Sequence, residues 1–336
     1  MKQAIPEAAL AAIGVVLSLA IVAGPVSAQE TVTYSPAEGE FGVIMFEDQW
    51  PCAGDLDYND VVLRVNTAVT HDGPNVSQIA LTVFPQALGS NSVSSGLALH
   101  LPASFGTSAE ATVFPQGDPS SGVVVDAWLN ESTLVYTVYD DVRDAFGGVD
   151  GFINTDLSGP FFTAEPVTLE ITFPAPVSID PLPTPFDVFL YRTHDRSHQV
   201  HRPEYEGTDQ MDESLFNTCD DVSTAERHFI TSSGLPSILF IDESLDDAAW
   251  PVEGESIMDA FPLLADAVES GEDDPTEWWF EESTLIVVHG SDIPEPTSLA
   301  LLTLGGLTLL RRRKRGMNSG NTRHRGSTLT YLDRPA

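Results

Sequence analysis

Lysine is missing from residues 29–292 of this 336-residue chain, and only Arg64, Arg143, Arg192, Arg196, Arg202 and Arg227 supply basic charge there. A surface so poor in cations offers no basic face to phosphates, which excludes nucleic acid as a partner. Cysteine is almost as scarce. Cys52 and Cys219 are the two in the chain, too few for a disulfide-dense scaffold or a cysteine-rich zinc module. They could form one disulfide in an oxidising envelope or remain a free pair, and spacing does not decide between these. The common catalytic templates are absent too: there is no Gly-x-Ser-x-Gly elbow, Walker loop or Gly-x-Gly-x-x-Gly. Apolar residues are not lacking. At 42% of the chain they provide ample material for a core and exclude wholesale disorder.

Acidic charge is abundant. The chain carries 50 Asp and Glu against 15 Lys and Arg, a formal net charge of −35 and a pI near 4.2. All but three of the acids fall within residues 29–292, where the net charge reaches −41. Self-repulsion of that size disfavours a compact state unless salt or bound cations screen it. A saline habitat, divalent cations, or both are expected, while most of the acids simply solvate the surface.

The two ends read as addresses. Residues 1–28 have a basic start at Lys2, an apolar run over 8–23, a Gly24-Pro25 break and a small-x-small pattern at Val26-Ser27-Ala28. This is the plan of a secretory signal peptide, with Gln29 as the mature start. At the other end Pro294-Glu295-Pro296 precedes the apolar run 297–310 and the basic cluster Arg311-Arg312-Arg313-Lys314-Arg315. The run is short for a spanning helix, which needs about 17–25 residues, and the cluster would stay on the cytoplasmic side. The three parts over 293–315 resemble the PEP-CTERM sorting signal of Gram-negative bacteria. That resemblance implies transient inner-membrane anchoring through 297–310, cutting by an exosortase, and a final place at the cell surface or in the extracellular matrix. Such signals normally end just after the arginines, whereas residues 316–336 continue here as a cytoplasmic or disordered tail.

Between the ends the pattern is β. Short runs rich in β-branched and aromatic residues, bounded by Gly, Pro, Asn and Asp, stand at 42–46, 61–65, 79–84, 122–125, 133–139, 167–173, 186–191 and 284–289. Strands at these intervals predict an antiparallel β-sandwich, jelly-roll-like, with long loops. The one helical pattern, 256–268, places Ile257, Phe261, Leu264 and Val268 on one face, with Pro262 predicting a short or kinked helix. Five prolines in 174–185 mark either a sub-boundary or, as preferred here, a long crossover within one ectodomain spanning 29–292.

Two groups of residues carry metal chemistry. Glu47, Asp48, Asp55, Asp57, Asn59 and Asp60 crowd oxygen ligands of the kind calcium takes. The stretch is no EF-hand, because Asp60 and Asn66 stand where that loop needs Gly and Glu, and a strand follows. Its alternative is an acidic turn in which the side chains bond the local backbone. His194, His198 and His201 could bind a transition metal, with Glu204, Asp209 and Asp212 downstream. They lack the His-Glu-x-x-His spacing, and nearby Arg and Pro predict a loop holding surface or structural histidines. Trp278-Trp279-Phe280 could stack on sugar rings, or simply pack.

Taken in order, these landmarks resemble the LruC domain family of bacterial surface and secreted proteins. The likeness rests on Phe46-Glu47-Asp48-Gln49-Trp50-Pro51 and Gly54-Asp55-Leu56-Asp57-Tyr58-Asn59-Asp60. It continues through Pro183-Thr184-Pro185-Phe186, the stretch from His201 to Asp209, and Gly234-Leu235-Pro236-Ser237-Ile238-Leu239. Trp250-Pro251, Glu255, Ile257, Ala260, Phe261, Ser270-Gly271 and Trp278 complete it, over residues 40–282. Two places depart: His201-Arg202-Pro203-Glu204 replaces the usual His-Leu-Pro-Gly, and Pro236-Ser237 the usual Pro-Trp. The family carries no settled reaction, so the resemblance implies a surface-domain role. The expected function is a secreted, calcium-stabilised, non-enzymatic protein of adhesion or of an exopolysaccharide-associated matrix, with extracellular polysaccharide or envelope proteins as partners. The alternative is a secreted metal-dependent hydrolase of polysaccharide or peptide, with the histidine group at its metal centre.

Overall fold

The computed structural model describes residues 30–90, 94–115, 118, 120–179, 186–241, 248–270, 278–280 and 283–289. The signal peptide, the sorting signal and the tail lie outside the described residues, as does 180–185 of the proline-rich stretch. The strands are β1 (Glu30–Ser35), β2 (Gly42–Phe46), β3 (Val61–Asp72), β4 (Asn75–Ala87), β5 (Ser95–Leu101), β6 (Glu110–Pro115) and β7 (Val123–Val125). They continue with β8 (Leu134–Tyr139), β9 (Val167–Val177), β10 (Asp187–Arg192), β11 (Asp195–Val200), β12 (Ile238–Ile241), β13 (Ala248–Pro251) and β14 (Ile286–His289).

Two antiparallel sheets form a β-sandwich. The first runs β12-β2-β3-β4-β9-β6-β7, with β1 added along β3, and the second runs β11-β10-β5-β8. The chain passes from the first sheet at β9 to the second at β10. Inward-facing side chains interlock between the layers: Ile44 and Phe46 from β2, Leu63 and Val65 from β3, Leu97 and Leu99 from β5, and Val188 and Leu190 from β10. Their spacing of two follows from the pleat, which sends successive side chains to opposite faces.

The same pleat turns Val43, Met45 and Val62 outward, yet these are buried as well. A C-terminal unit covers them. It is built from the β13–β14 pair, α1 (Ile257–Ala260) and α2 (Pro262–Ser270), and it brings Trp250, Ile257, Phe261, Leu264 and Trp278 onto that face. Ser256 caps α1 by accepting from the Met258 N–H. Pro262 ends that turn and opens α2, where a missing N–H costs nothing. The predicted kinked helix is therefore two short ones. Trp250 is fully buried and donates its indole N–H to the Asn154 carbonyl at 2.8 Å. Truncating it to alanine should cost about 3–5 kcal/mol.

One predicted loop is a strand. Residues 195–200 form β11 at the edge of the second sheet, where only Gln199 and Val200 are buried. An edge strand exposed along most of its length shows no apolar alternation, which is why its sequence reads as loop.

Candidate metal centre

Loop 47–60 joins β2 to β3, and its ends are fixed by that pairing: Phe46 stands opposite Val61. Between them the chain is pinned at several points. Trp50 is buried against Phe216 and Phe229 and donates its indole N–H to Asp221 at 2.9 Å. Cys52 is joined to Cys219 by a disulfide. Tyr58 donates its hydroxyl to the Pro236 carbonyl at 2.6 Å, and the Leu56 carbonyl accepts from the Ile257 N–H at 2.7 Å. Leu56 and Tyr58 hold left-handed backbone, with φ of 60° and 53°. That conformation costs a non-glycine residue on the order of 1 kcal/mol or more and persists only where the surroundings impose it.

This path buries the acidic side chains. Glu47, Asp48, Asp57, Asn59 and Asp60 are all buried, and Asp55 alone is exposed. Carboxylate oxygens of Glu47, Asp55 and Asp57 lie within 4.8 Å of one another. Local donors satisfy some of the oxygens. Glu47 Oε2 accepts from the Leu56 N–H at 3.1 Å, Asp60 Oδ2 from the Asp48 N–H at 2.8 Å, and Asp57 Oδ1 from the Asn59 N–H at 3.2 Å. Others have nothing. Glu47 Oε1, Asp48 Oδ1 and Asn59 Oδ1 are buried without a hydrogen-bond partner. The Asn59 amide is oriented by its nitrogen, which donates to the Pro251 carbonyl at 3.1 Å, so its bare atom is the oxygen. Two of these atoms pack directly on glycines: a Cβ on Gly54 would lie 2.0 Å from Glu47 Oε1, and one on Gly89 would lie 1.8 Å from Asn59 Oδ1, so neither position admits a side chain.

Glu47, Asp57 and Asp60 lie among other acids, and the carboxyl groups respond accordingly. Burial, and then the Asp60 charge, push Glu47 far above the usual carboxylate range. Asp60 is raised by burial and by Asp48. Burial lifts Asp57 to about 6, against the N–H of Gly254 that bonds it. Asp48 is raised by burial, with Ser90 and Arg192 pulling the other way. Acids that cannot all ionise in one enclosure will hold protons or a cation. Buried oxygens that only accept are what a hard divalent ion such as calcium requires.

The loop also meets residues that its own sequence does not announce. Asp57 Oδ2 accepts from the Gly254 N–H at 2.8 Å, and Glu253 donates its N–H to the Thr155 carbonyl at 3.0 Å. The Glu253 carboxyl, raised to about 7 by burial and by the Asp57 charge, has an oxygen, Oε2, that is buried without a partner. Glu253 is therefore a further acid of this centre. Nothing in its sequence signals that, because the link to loop 47–60 is made by the C-terminal unit folding over the first sheet.

The predicted histidine group does not assemble. His194 is exposed, and His198 donates Nε2–H to the Trp50 carbonyl at 2.6 Å. His201 is fully buried and pairs with Asp187 instead, in a group completed by His100. The side chains of His194, His198 and His201 are separated because they lie on or beside one strand edge and face different ways. Trp278 is likewise no exposed platform for sugars: it is buried and packs edge-on against Phe261, with ring centroids 5.1 Å apart.

Two packed antiparallel sheets with a buried acidic loop define an acidic β-sandwich ectodomain. The chain belongs to the family described as Domain of unknown function (DUF4842), which matches residues 74–279. That span includes Glu253, His100, Asp187 and His201 but begins after the acidic loop. Residues 292–315 match the PEP-CTERM protein-sorting motif, which marks the chain as a secreted surface protein processed by an exosortase. A solved structure from Bacteroides ovatus, described as that of a candidate lipoprotein, shares the fold at 14% identity. It covers 76% of this chain and 75% of its own, with a TM-score of 0.52. No curated protein matches the chain in sequence. No helix among the described residues is long and apolar enough to cross a membrane.

Proposed function

We propose that this protein is a non-enzymatic LruC-type surface or matrix β-sandwich whose fold is locked by calcium at loop 47–60. The observation that carries the reading is the pair of bare, buried oxygens, Glu47 Oε1 and Asn59 Oδ1, each packed against a glycine whose place no larger residue could take. Glu47, Asp55 and Asp57 supply the charge. Asp48, Asn59 and Asp60 complete the oxygen-rich surroundings, and calcium replaces the protons these acids otherwise need. Bound there, the ion holds loop 47–60 against the C-terminal unit through Asp57 and Gly254.

Export fits this role. Extracellular fluids keep calcium high enough to fill sites whose Kd is on the order of 10⁻⁴–10⁻³ M. The strongly acidic surface suits a calcium-rich exopolysaccharide matrix, where divalent ions screen it, and adhesion or matrix assembly is the activity served. Calorimetric titration of the purified protein with calcium tests the reading. Saturable binding that competes with protons is expected, and absence of binding up to several millimolar would remove its basis.

A further inference from the structure

The second sheet carries an independent site. We propose that His100, Asp187 and His201 bind a borderline divalent transition metal ion, of which zinc is the representative, at the end of β5, β10 and β11. His100 and Asp187 are direct cross-strand partners in the β5–β10 ladder, and His201 follows the last residue of β11. Asp187 and His201 are fully buried, and the His100 side chain reaches the surface with 11% of its area. One ligand atom from each residue lies within 4.8 Å of the other two.

Hydrogen-bond direction fixes how the imidazoles face. The Gln199 side chain donates through its nitrogen to the Arg196 carbonyl at 2.8 Å and to Thr208 Oγ1 at 2.9 Å. Its Oε1 accepts from the Thr208 backbone N–H at 3.1 Å. A carbonyl can only accept and an N–H can only donate, so the amide cannot be reversed. His201 Nε2, 2.8 Å from that same Oε1, must therefore carry a hydrogen. In the neutral ring the lone pair is then on Nδ1, which points at Asp187 Oδ2 from 2.8 Å. His100 repeats the arrangement, with Nε2 on Thr133 Oγ1 at 2.9 Å and Nδ1 on Asp187 Oδ2 at 3.2 Å. An Nε2–H held by an oxygen acceptor, with Nδ1 turned toward a carboxylate, is the pattern that orients metal-binding histidines; the Gln199 amide imposes it on His201, and the Thr133 hydroxyl, which can donate or accept, allows it for His100.

The His201 Nδ1 lone pair and Asp187 Oδ2 are both acceptors 2.8 Å apart, and a proton or a metal cation has to lie between them. A proton on His201 Nδ1 would suffice, but it would leave Asp187 Oδ1, which is buried and has no partner, bare. It would also enclose an imidazolium–carboxylate pair away from water, at a heavy desolvation cost. A divalent ion uses both Nδ1 lone pairs and either or both carboxylate oxygens. Tetrahedral metal bonds of about 2.0–2.2 Å hold ligand atoms about 3.3–3.6 Å apart, so the separations of 2.8 and 3.2 Å would have to widen by a fraction of an ångström as the ion enters. Two imidazoles and one carboxylate suit zinc and its neighbours rather than calcium. The ion would pin three adjacent strands at one end of the second sheet.

Cobalt, as a visible stand-in for zinc, tests this in the purified full-length protein with calcium saturating. One equivalent of tightly held cobalt, giving visible ligand-field bands and displaced by zinc, is expected. His100→Gln should weaken cobalt binding at least tenfold while leaving the calcium response of thermal unfolding in place. Absence of cobalt and zinc binding in a calcium-responsive protein, or unchanged affinity in His100→Gln, would overturn the proposal. X-ray absorption of the zinc-loaded wild type decides the case even if the variant fails to fold: two imidazoles in the shell support the site, and any other count refutes it.

Discussion

Asp57 Oδ2 accepts a 2.8 Å hydrogen bond from the backbone N–H of Gly254, 197 positions further along the chain. That bond ties the acidic loop between β2 and β3 to the unit that closes the outer face of the first sheet. It also places a metal-free Asp57, with its pKa lifted to about 6, at a joint between two hydrophobic cores. The charge state of one loop thereby bears on how firmly the C-terminal unit is seated.

Glu47→Gln separates charge from shape. The glutamine keeps the volume and can still accept from the Leu56 N–H, but it removes the most strongly raised acid of the cluster. In chelator the variant should unfold at or above the wild-type temperature, since the folded chain no longer has to take up a proton at a carboxyl that is ionised when unfolded. Its calcium affinity should fall at least tenfold, about 1.4 kcal/mol. Paired melts and titrations check both signs, and a variant that is less stable in chelator yet binds calcium normally would contradict them.

The pH dependence has a definite direction. Asp57 and Glu253 have folded pKa values raised to about 6 and about 7, above the ordinary carboxylate values near 4, and Glu47 and Asp60 are raised as well. Between pH 4 and 7 the unfolded chain has released these protons while the folded chain still holds them. Without calcium, stability contributed by these groups therefore falls as pH rises through that window. Calcium displaces the same protons, so the gain in unfolding temperature from saturating calcium should be larger at pH 8 than at pH 5. Equal gains at the two pH values would count against a carboxylate site.

The Cys52–Cys219 bond joins residues 167 positions apart and anchors the acidic loop beside Trp50. Closing so long a loop restricts the unfolded chain, and its loss should cost about 2–5 kcal/mol. Denaturant unfolding with and without reductant measures this. Superimposable curves would show that the bond adds nothing.

The clustering of the acidic loop was legible in the sequence because its carboxylates are close neighbours along the chain. Glu253, and the partnership of His201 with His100 and Asp187, were not legible. Sheet pairing and the folding-over of the C-terminal unit bring these together from distant segments, and local spacing carries no trace of that. The strands found from sequence are the β-branched ones, such as β3 and β9. β5 escaped although all seven of its residues are buried, because Ser95 to Leu101 is built from leucine, alanine and glycine rather than β-branched residues. β11 escaped for the opposite reason, as a polar edge.

Thermal unfolding of the purified protein in calcium and in chelator, for wild type and Asp57→Ala, tests calcium locking most directly. At calcium about a hundredfold above Kd, binding to the folded state contributes about 2.7 kcal/mol, a midpoint rise on the order of 5–10 °C. The expected result is a rise of that size in wild type that Asp57→Ala abolishes. Identical midpoints in calcium and chelator for the wild type would contradict it and reduce loop 47–60 to a buried acidic turn.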